Sequence, residues 1–502
     1  MTQVNWTRQL GLAILLVVLA TGAFWLEFKH RPKQEEKEEL SKKIFQLKDT
    51  PVQSIALANG AQSISMTCSD FATKLCKAGD HSKWELTEPT KLRADDSNAN
   101  SLLSALNQLN SSETIDLKNE TPEKRSALLK EYGLDSTARK TAARVKIVTA
   151  SGPSVLYLGA PHPIGENLFS LEELGGKVDE SRVYLIPSYF KANLDHDVTY
   201  WRDKKVLTLG AHEVESFKIE GSKAKNLSAT RKVGQWALRS EVGELPGDTE
   251  TIDSLLSTLT YLSAKSFPSD SKTDAKATSL LKGIPAVLKI TLQKEKGSAK
   301  EAPAPDVLTF FRKKSNAPSE KVYVTVSSLD PLFELEPNTI DRLDKSAKDL
   351  RLTKLLTSSD KFSVQRLEFE GGTAQAKPWN LVRSEGKWLR SEDKSEVSAE
   401  KVSSLLEKLS GKRIQDFLTA SKIPSGDKNE LKLNIQDNKN AVIRNLIFWK
   451  DAGKLYAKDQ QSKRNEAYLL DDTLMDALPW EPNLFQKEVK KPNPTPSGHP
   501  SK

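Results

Sequence analysis

Apolar positions repeat one pattern three times along the chain. The trios Val52/Ile55/Leu57, Val214/Phe217/Ile219 and Val364/Leu367/Phe369 share one spacing. The last two members of each trio alternate with polar or small residues, the period of a half-buried strand. A short run with a tryptophan follows: Lys83-Trp84-Glu-Leu86, Gln235-Trp236-Ala-Leu238 and Lys387-Trp388-Leu389. A glycine precedes each (Gly79, Gly234, Gly386), so this run is read as the hairpin partner of the first strand. Then Ala99/Leu102/Leu103/Leu106, Ile252/Leu255/Leu256/Leu259 and Val402/Leu405/Leu406/Leu409 recur at i, i+3, i+4, i+7, one face of a helix. Asp95, Asp248 and Ser398 stand seven residues ahead of each Leu-Leu pair and are good N-cap types. The tryptophans at 84, 236 and 388 stand 152 residues apart (236 − 84, 388 − 236). A large ring beside a leucine stripe is read as core, so these three serve as anchors of a repeated unit.

The rest of the unit recurs more faintly. A second helix begins at Thr121-Pro122-Glu123 and stops at Gly133; another runs from Ala275 to Lys282 and stops at Gly283. The third copy loses this helix around Ile423-Pro424. Strand-like pairs follow: Arg144–Val148 with Val155–Leu158, Ala286–Leu292 with Val307–Phe311, Leu431–Gln436 with Arg444–Trp449. A third strand is expected to carry Tyr184, Tyr323 and Tyr468 in turn. Short apolar helices near Tyr189–Leu194, Leu329–Leu335 and Leu474–Leu478 are expected to close the units. The predicted fold class is α+β, with antiparallel sheets and helices on one face. The units span 48–206, 207–355 and, shortened, 356–486.

Ahead of the repeats lies a different pattern. Leu10 to Leu26 is free of charge, and Phe28 extends its apolar length. With Trp6 and Trp25 near its ends, it reads as a single transmembrane helix over 10–28, after a tail at 1–9 and before a charged linker at 29–47. A cleaved signal peptide is the competitor, but the apolar run continues past Thr21-Gly22-Ala23, which favours an uncleaved anchor. Lys29, Arg31 and Lys33 would keep the large domain inside by a positive-inside count. Large domains translocate regardless of such flanks, and a short tail before one apolar segment has the form of an export signal. The expected location is therefore the bacterial inner membrane, with the bulk of the chain in the periplasm. The tail at 487–502, with four prolines, lacks the apolar residues to fold.

Composition narrows the chemistry. The 502 residues hold 75 Lys plus Arg against 67 Asp plus Glu, two Cys and six His. Two cysteines exclude a Cys-rich zinc or iron–sulfur protein. The net charge of +8 is spread over alternating Lys and Glu, so nucleic-acid binding is not expected. Cys68 and Cys76 flank a loop-like stretch; in an exported chain they could close a small disulfide loop, whereas in a reducing cytoplasm they would be free thiols.

At these residues the chain resembles the bacterial "domain of unknown function 4340" family. The resemblance rests on the strand at Val52, the segment Trp84-Glu-Leu-Thr-Glu-Pro89 and the Ala94-Asp95 helix start before Leu102-Leu103. The helix end Glu131-Tyr-Gly-Leu134 and the stretch Trp201-Arg-Asp-Lys-Lys-Val-Leu207 fit as well. It implies a membrane-anchored, periplasmic protein associated with ABC-transporter components of the gliding-motility type. It implies no activity.

No catalytic constellation is visible. The chain has no Gly-x-Ser-x-Gly elbow for His196 to serve. Asp195-His196-Asp197 lacks a second ligand cluster and reads as a turn or helix surface. Gly159-Ala-Pro-His162-Pro-Ile-Gly165 lacks phosphate-loop spacing and reads as a turn. Asp95-Asp96, Glu172-Glu173 and Asp471-Asp472 are adjacent carboxylates without glycosidase geometry. No cofactor, metal or small-molecule substrate is expected. The function expected is a non-enzymatic interaction or accessory protein with a membrane-protein partner. The alternative is a protein that binds or processes an envelope polymer such as glycan through its repeated aromatics.

Overall fold

The computed structural model describes residues 41–486, apart from 74, 225, 297–302, 314–319, 373–376, 425–429 and 482. Of these, the residues within 41–210, 258–289 and 306–343 form one compact unit, and those within 211–257, 290–305 and 344–486 another.

Three antiparallel sheets carry the fold. The first contains β1 (Val52–Asn59), β2 (Gln62–Cys68), β3 (Trp84–Glu88), β4 (Leu92–Arg93), β5 (Glu113–Asp116), β6 (Ala143–Thr149), β7 (Gly152–Pro161), β8 (Asn167–Leu174), β9 (Lys177–Val178) and β10 (Arg182–Pro187). Its helices are α1 (Asp96–Gln108), α2 (Pro122–Glu131) and α3 (Val198–Trp201). The middle set comprises β11 (Val214–Glu220), β12 (Leu227–Lys232), β13 (Gln235–Ser240), β14 (Gly243–Pro246), β15 (Ser266–Ser269), β16 (Ala286–Lys294), β17 (Asp306–Arg312), β18 (Val322–Val326) and β19 (Leu332–Leu335). It brings α4 (Thr249–Thr260), α5 (Ala275–Leu281), α6 (Thr339–Leu343) and α7 (Ala347–Leu350). The third set comprises β20 (Arg366–Gly371), β21 (Trp379–Ser384), β22 (Lys387–Arg390), β23 (Ile414–Thr419), β24 (Leu431–Gln436), β25 (Val442–Asp451), β26 (Lys454–Asp459) and β27 (Glu466–Leu470), with α8 (Ser358–Ser363) and α9 (Ala399–Ser410).

The strand orders are β4-β3-β2-β1-β6-β7-β8-β10-β5, β14-β13-β12-β11-β16-β17-β18-β19-β15 and β22-β21-β20-β24-β25-β26-β27-β23. Aligned by chain position, all three follow one scheme. The tryptophan strand lies two places out from the first strand. A strand from the middle of the sequence (β5, β15, β23) closes the far edge against the last strand of its set.

The long helices form where their stripes predict. Ala99, Leu102, Leu103 and Leu106 of α1 are buried with Ile55, Leu57, Trp84 and Val145 of the first sheet. Val402, Leu405, Leu406 and Leu409 of α9 pack with Leu367, Phe369, Trp388 and Leu433 of the third. Ile252, Leu255, Leu256 and Leu259 of α4 are buried too. Asp95 accepts from the Asn98 N–H, Asp248 from the Thr251 N–H at 3.0 Å, and Ser398 from the Lys401 N–H, so each cap satisfies an orphan donor.

Several expectations are corrected. The fold class is not α+β behind a transmembrane helix: antiparallel sheet dominates, and the longest described helix has 13 residues against the ~20 a span requires. Among the described residues no helix is long and apolar enough to cross a membrane. Residues 10–28 lie outside the described residues, as do 1–9, most of the linker and 487–502. Ile44, Phe45 and Leu47, assigned to the end of that linker, are buried in the first core.

Helices do not keep to one face. In β10, Tyr184 and Ile186 point into the α1 core, while Val183 and Leu185 join Leu129 of α2 in a second core on the opposite face. Alternate residues of a strand face opposite ways, so a run such as Leu168–Leu171, buried throughout, requires cover on both sides. A like core in the middle set gathers Ala277 of α5 with Tyr323 and Leu332. In the third, Trp449 and Tyr456 fill that place beside Leu418 and Ile423, with rings stacked at 5.8 Å.

The tryptophan strands are not hairpin partners of the first strands: β2, β12 and β21 intervene. Leu332–Leu335 is a strand, not a helix. Tyr323 accordingly sits one strand inward of the place that Tyr184 and Tyr468 share.

Leu256 is fully buried in α4. Leu256→Ala removes buried methylenes and leaves a cavity, so it should lower unfolding free energy by about 3 kcal/mol in urea titrations, with the same m-value.

Candidate functional site

The sequence-predicted site residues serve the architecture. Trp84, Trp236 and Trp388 are buried, at 3%, 2% and 5% exposure, although Trp388 also lines a cavity with Phe362 and Arg383. The Trp84 indole N–H donates to Asn100 at 2.9 Å and that of Trp236 to Asp253 at 3.2 Å, each partner lying on the helix above. Cys68 and Cys76 form a disulfide, and both are buried. Tyr184 and Tyr468 lie half-buried against the main cores, and Tyr323 is buried in the second core.

The sparse polar candidates also resolve into structure. Asp197 caps α3 by accepting from the Tyr200 N–H, Asp195 accepts from Asn59 at 2.7 Å, and His196 stacks on Tyr200 at 3.6 Å. The stretch from Gly159 to Gly165 spans the end of β7 and the turn into β8. A Cβ on Gly159 would come within 2.8 Å of Leu134, so that glycine admits the end of α2. Asp96 accepts from the Trp84 N–H at 2.7 Å, and burial raises its pKa. Among the described residues no group of three or more His, Cys, Asp or Glu could hold a metal ion.

The chemically distinctive residues lie elsewhere, at two arginines that the sequence reading did not single out. The stretch Trp201-Arg202-Asp203-Lys204-Lys205-Val206-Leu207 is matched by Leu350-Arg351-Leu352-Thr353-Lys354-Leu355-Leu356. Both segments lace neighbouring backbone in the same way. Ala94 bridges Arg202 and Gly247 bridges Arg351; Lys205 bridges Ser263 and Lys354 bridges Lys412. The cap residue N–H of Asp95 donates to the Trp201 carbonyl, and that of Asp248 to the Leu350 carbonyl, each at 2.8 Å.

Each arginine is then buried the same way. The Arg202 guanidinium lies 3.6 Å over Phe267 and pairs with Asp270 at 2.5 Å. The Arg351 guanidinium lies 3.4 Å over Phe417 and pairs with Glu466. Cation–π contact and one carboxylate offset part of the desolvation, but burial still lowers both arginine pKa values. The Nη2 of Arg202 and the Nε of Arg351 are buried without a hydrogen-bond partner.

At the second segment the structure opens into a cleft of about 320 Å³. Arg351, Lys354, Arg444, Lys463 and Arg464 line it, with Asp459, Glu466 and Tyr468. Tyr468 meets Phe417 edge-on at 5.6 Å, so ring and guanidinium share one aromatic support. Burial, with Glu466 and Asp459 adding, pushes the Tyr468 hydroxyl up to about 12. Burial also raises the Asp459 pKa.

The family model described as "Domain of unknown function (DUF4340)" matches residues 84–282 and again 236–439. The chain belongs to this family. Both DUF4340 matches begin at an anchor tryptophan, Trp84 and then Trp236, so the family description takes in one repeat and the start of the next. Each match contains two long helices of the α1 type, α1 and α4 and then α4 and α9, and one buried-arginine segment, at Arg202 and then Arg351. No curated protein matches the chain.

Two predictions follow from the Arg351 environment. Arg351→Met leaves the largely buried Glu466 carboxylate with only the longer contact to Arg464 at 3.8 Å and should destabilise the fold by about 3 kcal/mol in denaturant unfolding. The Arg351→Met/Glu466→Leu double variant should recover part of that loss. Tyr468 holds its proton more tightly when folded than the usual tyrosine value of ~10 allows in the unfolded chain. Its contribution is therefore complete below pH ~10 and is lost as pH rises through about 12. Alkaline melting curves should show this extra loss in the parent and not in Tyr468→Phe.

Proposed function

We propose that this DUF4340 chain is a non-enzymatic accessory protein of the bacterial envelope, working outside the cytoplasm against a membrane-protein partner of the ABC-transporter kind. The observation that carries the extracytoplasmic reading is the Cys68–Cys76 disulfide, a bond that persists in oxidising compartments. Repeated sheets of one strand order support a scaffolding role rather than a single catalytic centre. The large aromatic side chains are committed to the cores, which argues against the alternative of a glycan-binding platform built on Trp84, Trp236 and Trp388.

The test has two arms. A reporter enzyme active only outside the cytoplasm, fused after Lys502, should be active, and in denatured samples Cys68 and Cys76 should resist alkylation until a reductant is added. Tagged protein solubilised from membranes should recover a stoichiometric transporter component. An inactive reporter with freely alkylated thiols would overturn the location, and the absence of any membrane partner would overturn the role.

A further inference from the structure

We propose that the cleft beside Arg351 is a binding site for a compact, multiply charged oxyanion of the phosphate-ester class. The cleft's volume of about 320 Å³ suits a headgroup-sized ligand. Five cationic side chains line it against two carboxylates. Those carboxylates are not free counterions. Glu466 is taken by Arg351 and lies 3.8 Å from Arg464, and Asp459 accepts the Gln461 N–H at 2.9 Å. Two more acids hold the lining cations from outside the cleft: Glu250 pairs with Lys354 at 2.6 Å and Asp360 with Arg444 at 3.1 Å.

What distinguishes the site from a basic surface is its buried donors. Arg351 is 8% exposed, and its Nε has no partner. The Lys354 side chain is 9% exposed. Holding two cations in so little water is costly, and single carboxylates return only part of that cost. The Tyr468 hydroxyl keeps its proton at any physiological pH and has no hydrogen-bond partner among the described residues, so it remains an available donor. The cleft thus offers donors in excess of acceptors. A phosphate monoester brings three acceptor oxygens and close to two negative charges, the complement of planar guanidinium forks and a point-charge lysine. A phosphorylated soluble molecule and a lipid with a phosphomonoester headgroup present the same chemistry.

The full chain in detergent should be dialysed to equilibrium against radiolabelled inorganic phosphate, then tested for pelleting with vesicles of phosphatidic acid in phosphatidylcholine and of phosphatidylcholine alone. Saturable binding of one phosphate per chain is expected. The rim variant Lys463→Ala/Arg464→Ala and the variant Tyr468→Phe should each weaken it by about tenfold, with melting temperatures unchanged for the rim pair. If anionic vesicles pellet the protein and phosphate displaces it, the source is a lipid headgroup; if phosphate binds without vesicle pelleting, it is soluble. Phosphate uptake that does not saturate, with no variant-sensitive vesicle binding, would overturn the site. So would unchanged affinity in the rim variant.

Discussion

One backbone hydrogen bond closes each repeat, and much of the structure is arranged around it. The cap residue of the long helix donates its N–H to the carbonyl of a residue that ends the same repeat: Asp95 to Trp201, Asp248 to Leu350, Ser398 to Phe485. The bond fixes where the helix begins relative to the segment that finishes the sheet. With that start fixed, the leucine stripe lies over the tryptophan strand. In the first two repeats the residue after the acceptor is then carried inside, as Arg202 or Arg351. In the third it is Gln486, where the described chain ends.

The helix, its cap and its tryptophan were legible because each has a local signature: a 3.6-residue stripe, a short polar cap and a large ring at fixed separation. The edge strands were not. Glu113–Asp116 (ETID) carries no apolar alternation and is a strand only because β10 pairs with it. Leu332–Leu335 is a four-residue apolar run, too short for periodicity to separate strand from helix. The strands β2 and β12 do alternate, at Ile64/Met66/Cys68 and Leu227/Ala229, so their omission was a missed signal rather than a missing one.

The candidate site was hidden for a different reason. Arg202 stands in a stretch already noted for its resemblance to the family, yet a charged residue in sequence reads as surface by default. Its burial depends on Phe267 and Asp270, more than sixty residues away, and that of Arg351 on Phe417 and Glu466. Comparing the two seven-residue stretches would have exposed the shared arginine and lysine. It could not have supplied the aromatic ring beneath or the cleft beside it.

The strand that closes the far edge of each sheet carries a consequence for assembly. In the first sheet β5 leaves the chain early, yet its partner β10 arrives only after β6, β7, β8 and β9 have been laid down. Such pairing is a contact of high order, and its loop-closure entropy is met late. Until β10 emerges, β8 presents an open edge and the segment at 113–116 has no ladder to join. A chain delivered from its N-terminus can therefore latch the first sheet only once Pro187 has emerged. Each repeat becomes a checkpoint in a vectorial folding sequence, and truncation anywhere before the latch leaves a sheet with one side open.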